Sequence, residues 1–180
     1  QHLVSLAADA VHYAIDDTTH RILDAKPIEK KMRNSDKTQL RSGVYTSGVI
    51  ATTKANQHIV LFETNIGHAG ETIDSILLKR SQSSTQPIIM SDALASNRPI
   101  VTRTMTSLCN SHARRQFVDV INHFPEEVEH ILTRYGEIWT HEHYIAEQQL
   151  SLAKRLEYPQ PHSLPVMAEI KFLGATHLAN

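Results

Sequence analysis

Cysteine is nearly absent. Cys109 stands alone in 180 residues, which excludes an intramolecular disulfide and suits a reducing compartment. Long apolar runs are missing too, and none approaches the ~20 residues that a membrane-spanning helix needs. Residues Gln1 to Ala10 lack the basic start and apolar core of a secretory signal. The chain does not open on Met, as expected of an internal piece of a longer protein. There is no internal repeat, heptad array or low-complexity tract. Net charge is close to zero, at −1, so the chain as a whole is not a basic nucleic-acid binder.

What is present is ordinary for a soluble globular protein: 41% hydrophobic and 21% charged residues. Its length fits one domain with a real core, or a domain plus an appendage. The charge is unevenly spread. Asp24–Arg41 holds six basic and three acidic residues, 6 − 3 = +3, and Arg98–Arg115 holds four arginines and no acid. Such stretches suit phosphate contact, or simply a solvated surface.

Residue patterns predict a mixed α/β order. Val11–Ile15 reads as a buried strand, with Thr19–Leu23 continuing or pairing with it. Residues 24–42 are polar without a clean period and read as a long loop. Gly43–Thr53 and His58–Thr64, joined by Lys54–Gln57, read as an antiparallel hairpin. Glu71–Arg80 follows helical spacing, with acid first and base last. Pro87–Ser91 is a short strand followed by a loop over Ala93–Pro99. The alternation in Val101–Leu108 suits a short strand without fixing one. Ala113–Asn122 is a helix expected to bury Phe117, Val118 and Ile121. A longer helix starts at Pro125, which is well placed in a first turn. Its stripe of Val128, Ile131, Leu132, Tyr135, Ile138, Trp139 and Ile145 is expected to be core. Ser151–Tyr158 and Pro165–Leu173 complete the helices. Strand, hairpin, helix, strand is the order of a ribonuclease-H-like core, by analogy of fold.

Two aspartates carry the chemistry. Asp16 closes Val11–Ile15 and Asp92 closes Pro87–Ser91. A carboxylate at the end of a buried strand sits where a sheet opens, and two such groups on neighbouring strands can share divalent metal ions. Two-metal sites cut and join phosphodiesters. The bland reading of each is a turn or helix cap. Asp17, next in the chain, faces the opposite side of a strand and is assigned a structural or supporting role.

Four motifs, in order, resemble DDE transposases of the insertion sequence 66 type, from bacterial mobile elements. Asp16-Asp17-Thr18-Thr19-His20-Arg21-Ile22-Leu23 is similar to the first-aspartate motif, and Gly43-Val44-Tyr45-Thr46-Ser47-Gly48 to the strand after it. His68-Ala69-Gly70-Glu71 and then Met90-Ser91-Asp92-Ala93-Leu94 resemble the approach to the second aspartate. Cys109-Asn110-Ser111-His112-Ala113-Arg114-Arg115-Gln116-Phe117 resembles the C-x-A-H-x-R-R-x-F signature. A weaker match is His162–Met167. Together they span roughly residues 8 to 171. Asn110, Ser111 and Thr19 depart from the usual pattern, and the third acid, a glutamate after an Asn-Asn pair, does not occur.

The resemblance implies a ribonuclease-H-like mixed sheet with flanking helices, incomplete, over 1–122, and a helical extension over 123–180. It implies Asp16 and Asp92 as catalytic ligands of Mg²⁺, with Mn²⁺ able to substitute. It implies DNA as partner, both element ends and target, contacted by His112, Arg114 and Arg115, with a homo-oligomer possible. It further implies a bacterial cytoplasmic location, no membrane, and no activity from this chain alone. For Arg114 and Arg115 the bland reading is a salt bridge to Glu126 or Glu129. Two rivals stand beside the transposase: a folded remnant that binds DNA or itself without turnover, and a stand-alone nuclease completed by Glu71 or Asp119. Cys109 reads as a small buried residue. His141 and His143, two apart on a helix, do not form a chelating pair.

Overall fold

The computed structural model describes residues 2–21, 26–31, 36–81 and 85–177. The chain divides into two units, Gln1–Cys109 and Asn110–Asn180. The first begins with helix α1, His2–Ala8, then strand β1, His12–Arg21. Thr19 to Arg21 thus continue the first strand, while Ile22 and Leu23 lie outside the described residues. Strands β2, Ile28–Lys31, and β3, Thr38–Arg41, follow. Then come β4, Gly43–Thr52, β5, His58–Asn65, helix α2, Ala69–Leu77, β6, Ile88–Ser91, and β7, Met105–Leu108.

Five strands form one sheet in the order β5-β4-β1-β6-β7. β4 is antiparallel to both β1 and β5, whereas β6 runs parallel to β1 and β7 parallel to β6. This mixed sheet with flanking helices has the ribonuclease-H-like arrangement. Its two faces differ. Tyr13, Ile15, Val49, Ala51 and Ile89 point one way and form a buried cluster with Ile73, Ile76 and Leu77 of α2 and the alanines of α1. The alternate residues point the other way, and there Ile50, Val60, Phe62, Ile88 and Met105 are exposed.

The helix-side face is tied together by polar groups as well. The Tyr13 hydroxyl donates to the Ala7 carbonyl at 2.6 Å. Arg80 Nη1 donates to the carbonyls of Ala8 and Ala10 and to the Tyr13 oxygen. Burial pushes the Tyr13 hydroxyl up to about 12, with Arg80 opposing it.

One expectation fails here. Segment 24–42 is not simply a loop, because its described residues include β2 and β3, paired antiparallel as a separate ribbon. Ile28 and Leu40 are exposed and both strands are mostly solvated. A ribbon with neither face buried has no reason to alternate apolar and polar residues, so it shows no strand period. The ribbon is fastened to α2 by the ion pair between Lys30 and Glu71.

The second unit is helical: α3, Asn110–Asp119, α4, Pro125–Glu147, α5, Leu152–Glu157, and α6, Ser163–His177. Its core joins Ile131, Tyr135 and Ile138 of α4 to Val166 and Ile170 of α6, with Phe117 packed alongside. Of the α3 side expected to be buried, Phe117 and Val118 are half-buried and Ile121 is exposed. Arg134 pairs with Glu137 on its own helix and reaches Glu169 of α6 at 2.8 Å. His130 hydrogen-bonds the same carboxylate at 3.0 Å, and together they hold Glu169 below the usual carboxylate range.

Candidate functional site

β1 does not end at Asp16, as its sequence suggests, but its pairing with β6 stops just short of it. His12, Tyr13 and Ala14 of β1 lie beside Ile88, Ile89 and Met90 of β6. Two steps further along both strands stand Asp16 and Asp92, since 16 − 12 and 92 − 88 are both 4. Beyond Ala14, β1 remains paired with β4 alone, with Asp16 opposite Gly48. Asp16 and Asp92 thus each lie two residues beyond the last β1–β6 pair, Ala14 and Met90, where the two parallel central strands part. Strand alternation turns Asp16 toward the face of Ala14, away from the helices, whereas Asp92 lies past the end of β6.

Their settings differ. Asp16 is exposed, and its Oδ1 accepts from the Asp17 amide at 2.9 Å. Asp92 is half-buried, and its Oδ1 accepts from the Leu94 amide at 3.1 Å and from Asn97 Nδ2 at 2.9 Å. Asp92 is thus also a turn residue, and the bland reading of an Asp after a strand holds alongside the functional one. The Cys109 amide donates to the Ser91 carbonyl at 2.8 Å, fixing the strand end that carries Asp92.

Asp17 faces the helix side. Its Oδ2 accepts from the Ala69 amide at 3.2 Å, capping the first turn of α2 from outside, and bonds His68 Nδ1 at 3.1 Å. The His68 ring lies 4.2 Å from that of Tyr45. Glu71, paired with Lys30, belongs to α2 on this same side, so it does not face Asp16. Asp119 lies in the other unit. Among the described residues no group of three His, Cys, Asp or Glu side chains forms a metal cage. Two hard carboxylates just beyond the paired part of neighbouring strands nevertheless suit Mg²⁺, which keeps several waters and takes one or two protein carboxylates beside substrate phosphate.

His112, Arg114 and Arg115 lie on α3 in the helical unit. His112 is half-buried, whereas both arginines are exposed. Neither arginine bridges Glu126 or Glu129. The Arg114 guanidinium instead lies over the Trp139 ring, 5.8 Å from its centroid. Trp139 is 40% exposed, which corrects its assignment to the core: it closes the apolar stripe but also forms surface. With Ser111, Arg115, Leu132 and Gly136, the pair lines an open groove of about 540 Å³. Cys109 is half-buried rather than buried. His141 bonds Ser163 and His143 bonds Glu147, so they serve separate contacts.

Reading residue types missed Asn97, whose amide holds Asp92, and Asp74, whose carboxylate accepts from the Ile100 and Val101 amides. Both act on segments distant in the chain or across a turn, where no periodicity signals them.

A ribonuclease-H-like sheet with an aspartate on or directly after each of its two central parallel strands is a frame suited to metal-dependent phosphodiester chemistry. The chain belongs to the transposase IS66 family, whose model matches residues 1–178. No curated protein and no solved structure matches it. The family implies DNA as substrate and transposition as the process served. Among the described residues no helix is long and apolar enough to cross a membrane.

Proposed function

We propose that this chain is a portion of a DDE transposase core in which Asp16 and Asp92 hold Mg²⁺ for DNA strand cleavage and strand transfer. The supporting observation is that β1 and β6 are parallel neighbours and that each aspartate lies two residues beyond their last pair. Bound there, the metal would supply Lewis-acid activation of the attacking hydroxyl and stabilise the leaving oxygen. The protein's own share is to gather two negative charges where the strands part and leave room there for the phosphodiester. In cleavage, water attacks phosphorus and the bond to the 3′-oxygen breaks. In joining, that freed 3′-hydroxyl attacks a phosphodiester of the target, forming a new P–O bond as the bond to the target's own 3′-oxygen breaks and that oxygen leaves as a 3′-hydroxyl.

Arg114 and Arg115 suit phosphate, since a guanidinium holds two oxygens at once. Stacking on Trp139 restrains the Arg114 fork without neutralising it. Because no third carboxylate joins the pair among the described residues, we further infer that the chain alone does not turn over. Glu71 does not complete the site, being engaged with Lys30 on the helix side of the sheet.

The test is Mn²⁺ titration of the purified chain, followed by NMR. Line broadening should centre on Asp16 and Asp92 and disappear in Asp16→Asn and in Asp92→Asn. Broadening scattered over histidines and indifferent to both changes would remove the metal assignment.

A further inference from the structure

Asn97 ends the single 3-10 turn Ala95–Asn97 that follows Asp92. It is 0% exposed. Its Nδ2 donates to Asp92 Oδ1 at 2.9 Å, while its own Oδ1 is buried with no hydrogen-bond partner among the described residues. Rotating the amide would not relieve this, because it would set a carbonyl oxygen against a carboxylate oxygen and leave the NH₂ unpaired instead. A buried amide with an orphaned oxygen is costly. Leucine keeps the same branched shape without that cost, although its methyl groups are bulkier.

What the amide does is local and directional. Asp92 lies one residue past β6, so no strand ladder restrains it. Two donors, the Leu94 amide and Asn97 Nδ2, converge on the same oxygen. Anchoring Oδ1 leaves Oδ2 as the oxygen for a ligand.

We propose that Asn97 is a positioning residue for Asp92: it fixes the carboxylate rotamer and so preorganises the metal site, at a cost to the stability of the fold. The part concerning metal rests on the reading of Asp16 and Asp92 given above; the part concerning the rotamer does not.

The experiment compares the wild-type chain with Asn97→Leu and Asn97→Ala. It reads the side-chain three-bond couplings of Asp92, the Mn²⁺ affinity and the thermal midpoint. In the wild type the couplings should report one rotamer. In Asn97→Leu they should average, and Mn²⁺ affinity should fall 10- to 100-fold, the usual loss when a group supporting a metal ligand is removed. The thermal midpoint of Asn97→Leu should be equal to or above that of the wild type, a combination that a merely structural asparagine does not produce. A folded Asn97→Leu with a single Asp92 rotamer and wild-type affinity would overturn the proposal. So would failure of both variants to fold, which would make Asn97 a core residue. If the wild type binds no Mn²⁺ at the aspartates, the metal reading fails, and the couplings still decide whether Asn97 positions Asp92.

Discussion

Asp16 and Asp17 are neighbours of identical chemistry on opposite faces of one sheet, and the two faces use them differently. On the helix side, Asp17 is spent on architecture: it caps α2 and bonds His68. On the open side, Asp16 is exposed. The difference extends along the strands. The helix side buries Tyr13, Ile15 and Val49, while the other face leaves Val60 and Phe62 to solvent. A sheet that stabilises itself through one face can keep the other for function. Acid content alone does not tell the two apart; the parity of a residue's position does.

The widest gap between the faces should appear in packing. Ile73→Ala, in the fully buried cluster, should cost about 2–5 kcal/mol. Phe62→Ala, where the ring is 76% exposed, should stay within about 0.5 kcal/mol. Hydrogen exchange of the β1 amides reads both in the unit concerned. Equal losses would dissolve the distinction between the faces.

A second contrast is pH. The folded Tyr13 hydroxyl lies near 12, against about 10 in the unfolded chain. Its raised value means that the stabilisation is complete below pH 10 and is lost as pH rises from about 10 to 12, because the unfolded state ionises first. The loss should be about 2–3 kcal/mol, and Tyr13→Phe should flatten it. An unchanged slope in that variant would remove Tyr13 as the cause.

The smallest stability effect separates the paired acids themselves. Asp17→Ala should cost about 1–2 kcal/mol through the lost helix cap and the lost His68 contact. Asp16→Ala should leave stability within about 0.5 kcal/mol while abolishing Mn²⁺ binding. The reverse pattern would exchange their roles.

Much of the fold was legible in the sequence, and where it was not there is a physical reason. β4 and β5 announce themselves by β-branched residues around a turn, and α4 by a stripe interrupted only where Trp139 surfaces. The β2–β3 ribbon carries no burial period to read. α1 is short, with no acid in its first turn and no base in its last, and depends on tertiary burial of Ala7 and Ala8. At the site, Asp16 and Asp92 were legible as strand-associated carboxylates, but the parallel pairing of the strands that carry or precede them is a property of the β1–β6 register. Asn97 acts through one hydrogen bond across a turn, which residue type does not encode.

The most direct test of the central claim, that Asp16 and Asp92 form one site, is a double-mutant cycle on Mn²⁺ affinity. Wild type, Asp16→Asn, Asp92→Asn and the double variant are each titrated and the bound ion followed by electron paramagnetic resonance. If the two carboxylates share the metal, either single change should lose nearly as much affinity as both together. Losses that simply add, or a double variant that still binds like the wild type, would contradict a shared site.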